Sequence, residues 1–125
     1  MTEGLVVLCT CPDDATAERI ARELVSGGFA ACVNRSPVRS TYRWQGALHD
    51  EPEVLLVAKT TRSRYEALEM RLAALHPYEV PEIIALPVIC GSATYLAWLA
   101  EETCPRSQEA SPATVDRQPP AERAP

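Results

Sequence analysis

Five cysteines and two histidines are the side chains of this sequence with the greatest reach for chemistry. Cys9 and Cys11 stand at i and i+2 in a run of β-forming residues, so both thiols point to one side of a strand. A pair so placed either shares a soft metal ion or fills space, because a cysteine in an apolar strand is commonly a small core residue. The C-x-C spacing alone does not choose between the two. Cys32, in Ala30–Val33, reads as core. Cys90 precedes Gly91 and reads as exposed, and Cys104 as a surface thiol. No C-x-x-C pair exists, which argues against a thioredoxin-like redox motif and a zinc knuckle. His76 precedes Pro77, where a histidine either donates to a carbonyl at a helix end or ligates a metal. Glu82 follows Pro81 and reads as an ion-pair partner or a ligand.

The elements that must position these residues follow from periodicity. Leu5–Thr10 is an unbroken β-rich run, as a buried central strand would be. Pro12-Asp13-Asp14 opens a helix, with its carboxylates favoured at the N-terminus. Ala17, Ile20, Ala21, Leu24 and Val25 form its apolar stripe, and Gly27-Gly28 ends it by allowing positive φ. A second strand starts at Ala30–Val33, is broken or bulged at Asn34–Pro37, and resumes at Ser40–Trp44. Gln45-Gly46 makes a tight turn, and the chain returns through Ala47–His49 and Val54–Ala58. Ser63-x-x-Glu66 reads as a capping box for a helix carrying Tyr65, Leu68, Leu72 and Leu75. That helix ends near His76, because a residue before proline leaves the α region. Ile83–Leu86 is a fourth strand, ended by Pro87, and Ser92 caps a last helix carrying Tyr95, Leu96 and Leu99.

The order β-α-β-β-α-β-α predicts an α+β fold, a ferredoxin-like split βαβ sandwich with a long β-hairpin. Two helices cover one face of an antiparallel sheet, and self-association is the natural cover for the other. Tyr42 and Trp44 share a face of the hairpin and read as interface or pocket wall. Arg43 and Lys59 face solvent or pair with an acid. Residues 1–104 form the domain. Residues 105–125 hold five of the eleven prolines and almost no large aliphatics, and predict a disordered tail.

Bulk properties narrow the function classes. The chain has 125 residues and a formal net charge of −5, without a basic window, which argues against nucleic-acid and anionic-membrane partners. No run approaches a spanning helix, and the N-terminus has no basic start. An odd number of cysteines without a signal peptide predicts reduced thiols and a cytoplasmic protein.

Six segments then carry a family resemblance. Thr10-Cys11-Pro12-Asp13, Ala30-Ala31-Cys32-Val33-Asn34, Tyr42-Arg43-Trp44-Gln45-Gly46, Leu55-Leu56-Val57-Ala58-Lys59-Thr60, His76-Pro77-Tyr78-Glu79-Val80-Pro81-Glu82-Ile83-Ile84 and Tyr95-Leu96-Ala97-Trp98-Leu99 resemble the signature blocks of the CutA divalent-cation tolerance family, in its order and spacing. The resemblance runs from about Leu5 to about Glu102. It implies a homotrimer whose hairpin strands continue one subunit's sheet into the next. It also implies a role in tolerance of divalent metals, with Cu(II) as the ion and no catalytic site. Cys9, His76 and Glu82 match the ligands proposed for copper in the family. A thiolate, an imidazole and a carboxylate suit copper or zinc better than magnesium or calcium. The two prolines of the 77–81 loop can shape it to present His76 and Glu82 together. Cys11 departs from the family pattern and either adds a second thiolate or fills space.

Other classes compete with this reading, among them a passive trimeric scaffold that holds partners through the tail. An acylphosphatase-like hydrolase would want an Arg in a Gly-rich phosphate loop after the first strand, where this chain has Cys11-Pro12-Asp13-Asp14. A trimeric small-ligand signalling protein resembling nitrogen-regulatory trimers is the alternative, weakened by a count of only five glycines.

Overall fold

The computed structural model describes residues 2–105. The tail read as disordered lies outside the described residues, apart from Pro105. The elements are β1 (Gly4–Cys11), α1 (Asp14–Ser26), β2 (Cys32–Trp44), β3 (Ala47–Thr61), α2 (Arg62–Leu75), β4 (Ile84–Pro87) and α3 (Ala93–Glu102). The expected order is therefore present. The strands form an antiparallel sheet in the order β2-β3-β1-β4.

Local chemistry sets the boundaries. Asp13 caps α1 by accepting the Thr16 N–H at 2.8 Å, and that bond holds its carboxyl below the ordinary value of 3.8. A folded value below the unfolded one makes the cap stabilising above the unfolded range. The contribution is lost as acid protonates the cap in the folded state. Asp13→Asn caps without a charge, so its melting temperature should fall less steeply on acidification below pH 3.8. Scanning calorimetry checks this, and superimposable acid profiles would contradict the cap. At the other end Gly28, at φ 75°, donates to the Val25 carbonyl at 3.1 Å while Phe29 donates to Leu24 at 2.9 Å, a Schellman closure. Val25 has drifted off the buried stripe and is 40% exposed. The hairpin turns on Gln45 (φ 52°) and Gly46 (φ 82°), the left-handed pair of a two-residue turn that matches strand twist.

Two local expectations are corrected. β2 has no break at Asn34–Pro37: its pairing with β3 runs in one register from Cys32↔Lys59 to Trp44↔Ala47. Pro37 is tolerated because β2 is an edge strand, where a residue lacking an N–H costs the ladder nothing on its open side. The capping box at Ser63 is also displaced. α2 begins at Arg62 with Thr61 as its N-cap, and Ser63 is the second residue of its first turn, its Oγ 3.3 Å from Thr61 Oγ1. The strand-to-helix junction is immediate, with no loop to hold a Ser cap.

Alternation divides the sheet. Val7, Cys9, Cys11, Val54, Leu56 and Ala58 pack with Ile20, Leu24, Leu68 and Leu72 of α1 and α2 in the main core. The register places Val6, Leu8, Leu55, Val57, Ile84 and Leu86 on the opposite face. α3 reaches one end of the sheet, where a Cβ on Gly4 would meet Leu99 at 3.2 Å and Thr103 Oγ1 lies 3.4 Å from Thr61 Oγ1. Ile84 and Leu86 remain half exposed.

Candidate metal centre

Cys9 and Cys11 are the last two inward-facing residues of β1, and both are fully buried. Cys9 pairs with Leu56 and Cys11 with Val54, so the two thiols look into the core at the end of the strand. His76 arrives from α2. Its backbone is extended (φ −82°, ψ 138°), as a residue before proline must be, while its N–H still bonds the Leu72 carbonyl at 3.0 Å. That turn carries the ring back to β1. His76 Nε2 lies 2.8 Å from the Thr10 carbonyl, and Nδ1 accepts the Tyr78 N–H at 3.1 Å. A backbone N–H can only donate, so Nδ1 is the acceptor and Nε2 carries the proton given to Thr10. The expected carbonyl acceptor exists, but in a strand rather than at a helix end.

The ligand atoms of Cys9, Cys11 and His76 lie within 4.8 Å of one another, and all three residues are buried. The thiols sense each other. A hydrogen bond shared with Cys11, and then burial, push the Cys9 thiol up, while the same bond holds Cys11 below its ordinary value. The Cys9 thiol also donates to the Thr10 carbonyl at 3.8 Å. Two sulfurs and an imidazole form a soft-to-borderline donor set. It fits zinc or copper and does not fit magnesium or calcium, which take oxygen ligands.

Glu82 is not among these three. It is exposed and lines a cavity of about 700 Å³ on the other face of the sheet, with Thr10, Tyr42 and Glu53. The cause is strand alternation: Thr10 points opposite to Cys9 and Cys11, and the 77–82 loop crosses on the Thr10 side. The prolines shape the loop, but they separate His76 from Glu82 instead of aiming both at one ion. Cys11 takes the position expected of Glu82. Cys32 is half-buried, and Cys90 and Cys104 are exposed. Lys59 donates to Asn34 on the neighbouring strand, not to an acid.

The residue that sequence reasoning missed is Glu53. Past Cys11 the β1 edge of β3 is vacant, and the 77–82 loop moves in to cover it. Glu53 is left 7% exposed and accepts the Tyr78 hydroxyl at 2.6 Å. Burial and that bond raise the Tyr78 phenol, so it remains a donor at neutral pH. Tyr42 donates likewise to Glu51, which pushes its phenol up to about 12. The only available signal was an acid in a β-run flanked by Pro52 and Val54, which reads equally as a solvated edge.

Fold and donor set together define a small α+β protein with a buried sulfur–nitrogen site reached from β1 and the end of α2. The family model described as CutA1 divalent ion tolerance protein matches residues 5–102, and the chain belongs to that family. A Thermus thermophilus protein described as divalent-cation tolerance protein CutA is 50% identical over 99 residues, covering 78% of this chain and 96% of its own. The crystal structure of CutA from Xylella fastidiosa superposes with a TM-score of 0.80 at 42% identity, over 82% of this chain and all of that one. An Archaeoglobus fulgidus structure described as a periplasmic divalent cation tolerance protein CutA superposes at 0.78 with 31% identity, covering 80% and 98%.

Proposed function

We propose that this protein is a cytoplasmic, non-enzymatic homotrimer with ferredoxin-like subunits. In this reading it serves divalent-cation tolerance by binding copper or another divalent transition metal through Cys9, Cys11 and His76. The observation that carries the reading is the convergence of three buried ligand atoms within 4.8 Å. The family's description supports the metal, and the Archaeoglobus relative's description leaves its compartment distinct from the one proposed here. Five free cysteines are consistent with a reducing compartment. The apolar row Val6, Leu8, Leu55, Val57, Ile84 and Leu86 supports self-association, since uncovered apolar sheet faces tend to be interfaces. No helix among the described residues is long and apolar enough to cross a membrane.

The chain's own residues would do three things. The Cys9 and Cys11 sulfurs would supply charge to the ion, and each must surrender its proton first. His76 would release Thr10 or Tyr78 to free a ring nitrogen. The core around Val7, Leu56 and Leu68 would exclude water. A bound transition metal supplies a charge that holds both thiols deprotonated. Because the Cys9 thiol is raised, metal and proton compete, and affinity should climb with pH below the ordinary thiol value of 9.0. The slope is about tenfold per pH unit for each proton displaced.

The test is an anaerobic titration with Zn(II), which cannot oxidise thiols, on wild type, Cys11→Ser and Glu82→Gln. Affinity should fall by at least about tenfold in Cys11→Ser and stay unchanged in Glu82→Gln. The reverse ranking would move the site to the cavity face. Light scattering should give three times the chain mass of 13.7 kDa, and a stable monomer would refute the assembly.

A further inference from the structure

Among the described residues, both hydrogen bonds that tie the 77–82 loop to the rest of the chain run through Tyr78. It gives its N–H to His76 Nδ1 at 3.1 Å and its hydroxyl to Glu53 Oε2 at 2.6 Å. No backbone–backbone hydrogen bond there involves residues 77–82. Pro77 and Pro81 have no N–H to offer. Half of the loop's anchoring therefore ends on a ring that the metal centre also needs.

The two ring nitrogens cannot both keep their present roles around an ion. Nε2 now carries the proton given to Thr10, and Nδ1 is the acceptor. If Nδ1 becomes the ligand, its lone pair is taken and the Tyr78 N–H loses its acceptor. If Nε2 becomes the ligand, its proton leaves, and a ligating histidine almost always keeps a proton on its other nitrogen. Two N–H donors would then face each other across the present 3.1 Å. The Nδ1 route keeps Nε2–H on the Thr10 carbonyl, the kind of partner that orients a ligating histidine. By either route Tyr78 is the partner that is lost.

We propose that metal occupancy releases the Tyr78 anchor, making the 77–82 loop a switch that is read on the opposite face of the sheet. This switch rests on the metal reading proposed above and gives that site its regulation. The released N–H turns to water, and the loop it held draws the Tyr78 hydroxyl away from Glu53. The face that the loop covers also bears the apolar row assigned to self-association, so occupancy of the thiols is felt where subunits meet. By linkage, loosening the tie to Glu53 should tighten metal binding.

Amide hydrogen exchange, read by NMR on the full-length, reduced protein with and without Zn(II), tests this. Calorimetry on the same sample reads Zn(II) uptake. On loading, the Tyr78 amide should exchange at least about tenfold faster, because its hydrogen bond is lost. The His76 amide, bonded to the Leu72 carbonyl at 3.0 Å, should keep its protection. Tyr78→Phe keeps the N–H and cuts the tie to Glu53, so it should bind Zn(II) about fivefold more tightly than wild type. A residue that merely braces the site would do the opposite. Uptake of Zn(II) with the Tyr78 amide still protected overturns the switch and leaves the metal reading standing. Unchanged or weaker affinity in Tyr78→Phe overturns the switch as well. No uptake at all refutes the metal reading, and the switch falls with it.

Discussion

Replacing His76 by alanine is expected to destabilise the protein by about 3 kcal/mol and to lower Zn(II) affinity by at least about 100-fold. The stability loss has a specific origin. The ring satisfies the Thr10 carbonyl through Nε2 and the Tyr78 N–H through Nδ1, and it is only 8% exposed. Without it, the part-buried Tyr78 N–H loses its partner and the Thr10 carbonyl keeps only the Cys9 thiol at 3.8 Å. Each such loss costs on the order of 1–3 kcal/mol, more than the hydrogen bond itself contributed. Chemical denaturation of metal-free wild type and variant measures this part. The metal part is separable: Zn(II) should raise the melting temperature of wild type and leave His76→Ala almost unmoved, because only a ligand that binds the native state shifts unfolding. A variant as stable as the parent would mean that the ring is dispensable to the loop.

Leu72→Ala should be comparably severe for an unrelated reason. Leu72 is 1% exposed and lies in the cluster that includes Ile20, Leu24, Leu56 and Leu68. Truncation removes buried methyl groups and leaves a cavity between α1, α2 and the sheet, at a cost of about 3 kcal/mol. For a domain of this size the melting temperature should fall by roughly 10 °C or more. Met70 provides the control, since it sits on the same helix at 75% exposure. Met70→Ala should change stability by less than about 0.5 kcal/mol. Equal losses at the two positions would mean that α2 packs by another face.

Elements with strong local codes were legible in the residues. The unbroken β1 run, the Asp13 cap, the Gln45-Gly46 turn and the Ser92 cap are each decided within a few positions. Ser92 does accept the Tyr95 N–H at 3.3 Å. Failures occurred where a distant partner decides. Pro37 breaks a strand only if its open side must be paired, and β2 has no neighbour there. Ser63 matched a capping pattern, but β3 runs on to Thr61 and starts α2 two residues earlier.

The site divides in the same way. That Cys9 and Cys11 share a side follows from i, i+2 spacing, and the proline after His76 marks the helix end. Which face the 77–82 loop takes depends on β1 stopping at Cys11 while β3 continues toward the hairpin. That long-range mismatch removes Glu82 from the thiols. The same mismatch buries Glu53, which reads as a solvated edge acid in isolation. A hydrogen-bonded link joins the two faces. Tyr78 donates its N–H to His76 and its hydroxyl to Glu53, and its ring centroid lies 4.7 Å from that of His76.

The most direct measurement is X-ray absorption at the zinc edge on anaerobically loaded protein. Two sulfur scatterers and one imidazole in the first coordination shell are expected, falling to one sulfur in Cys11→Ser. A shell of oxygen and nitrogen alone, or one unchanged by losing Cys11, would show that the buried thiols are core filler and that metal is held elsewhere.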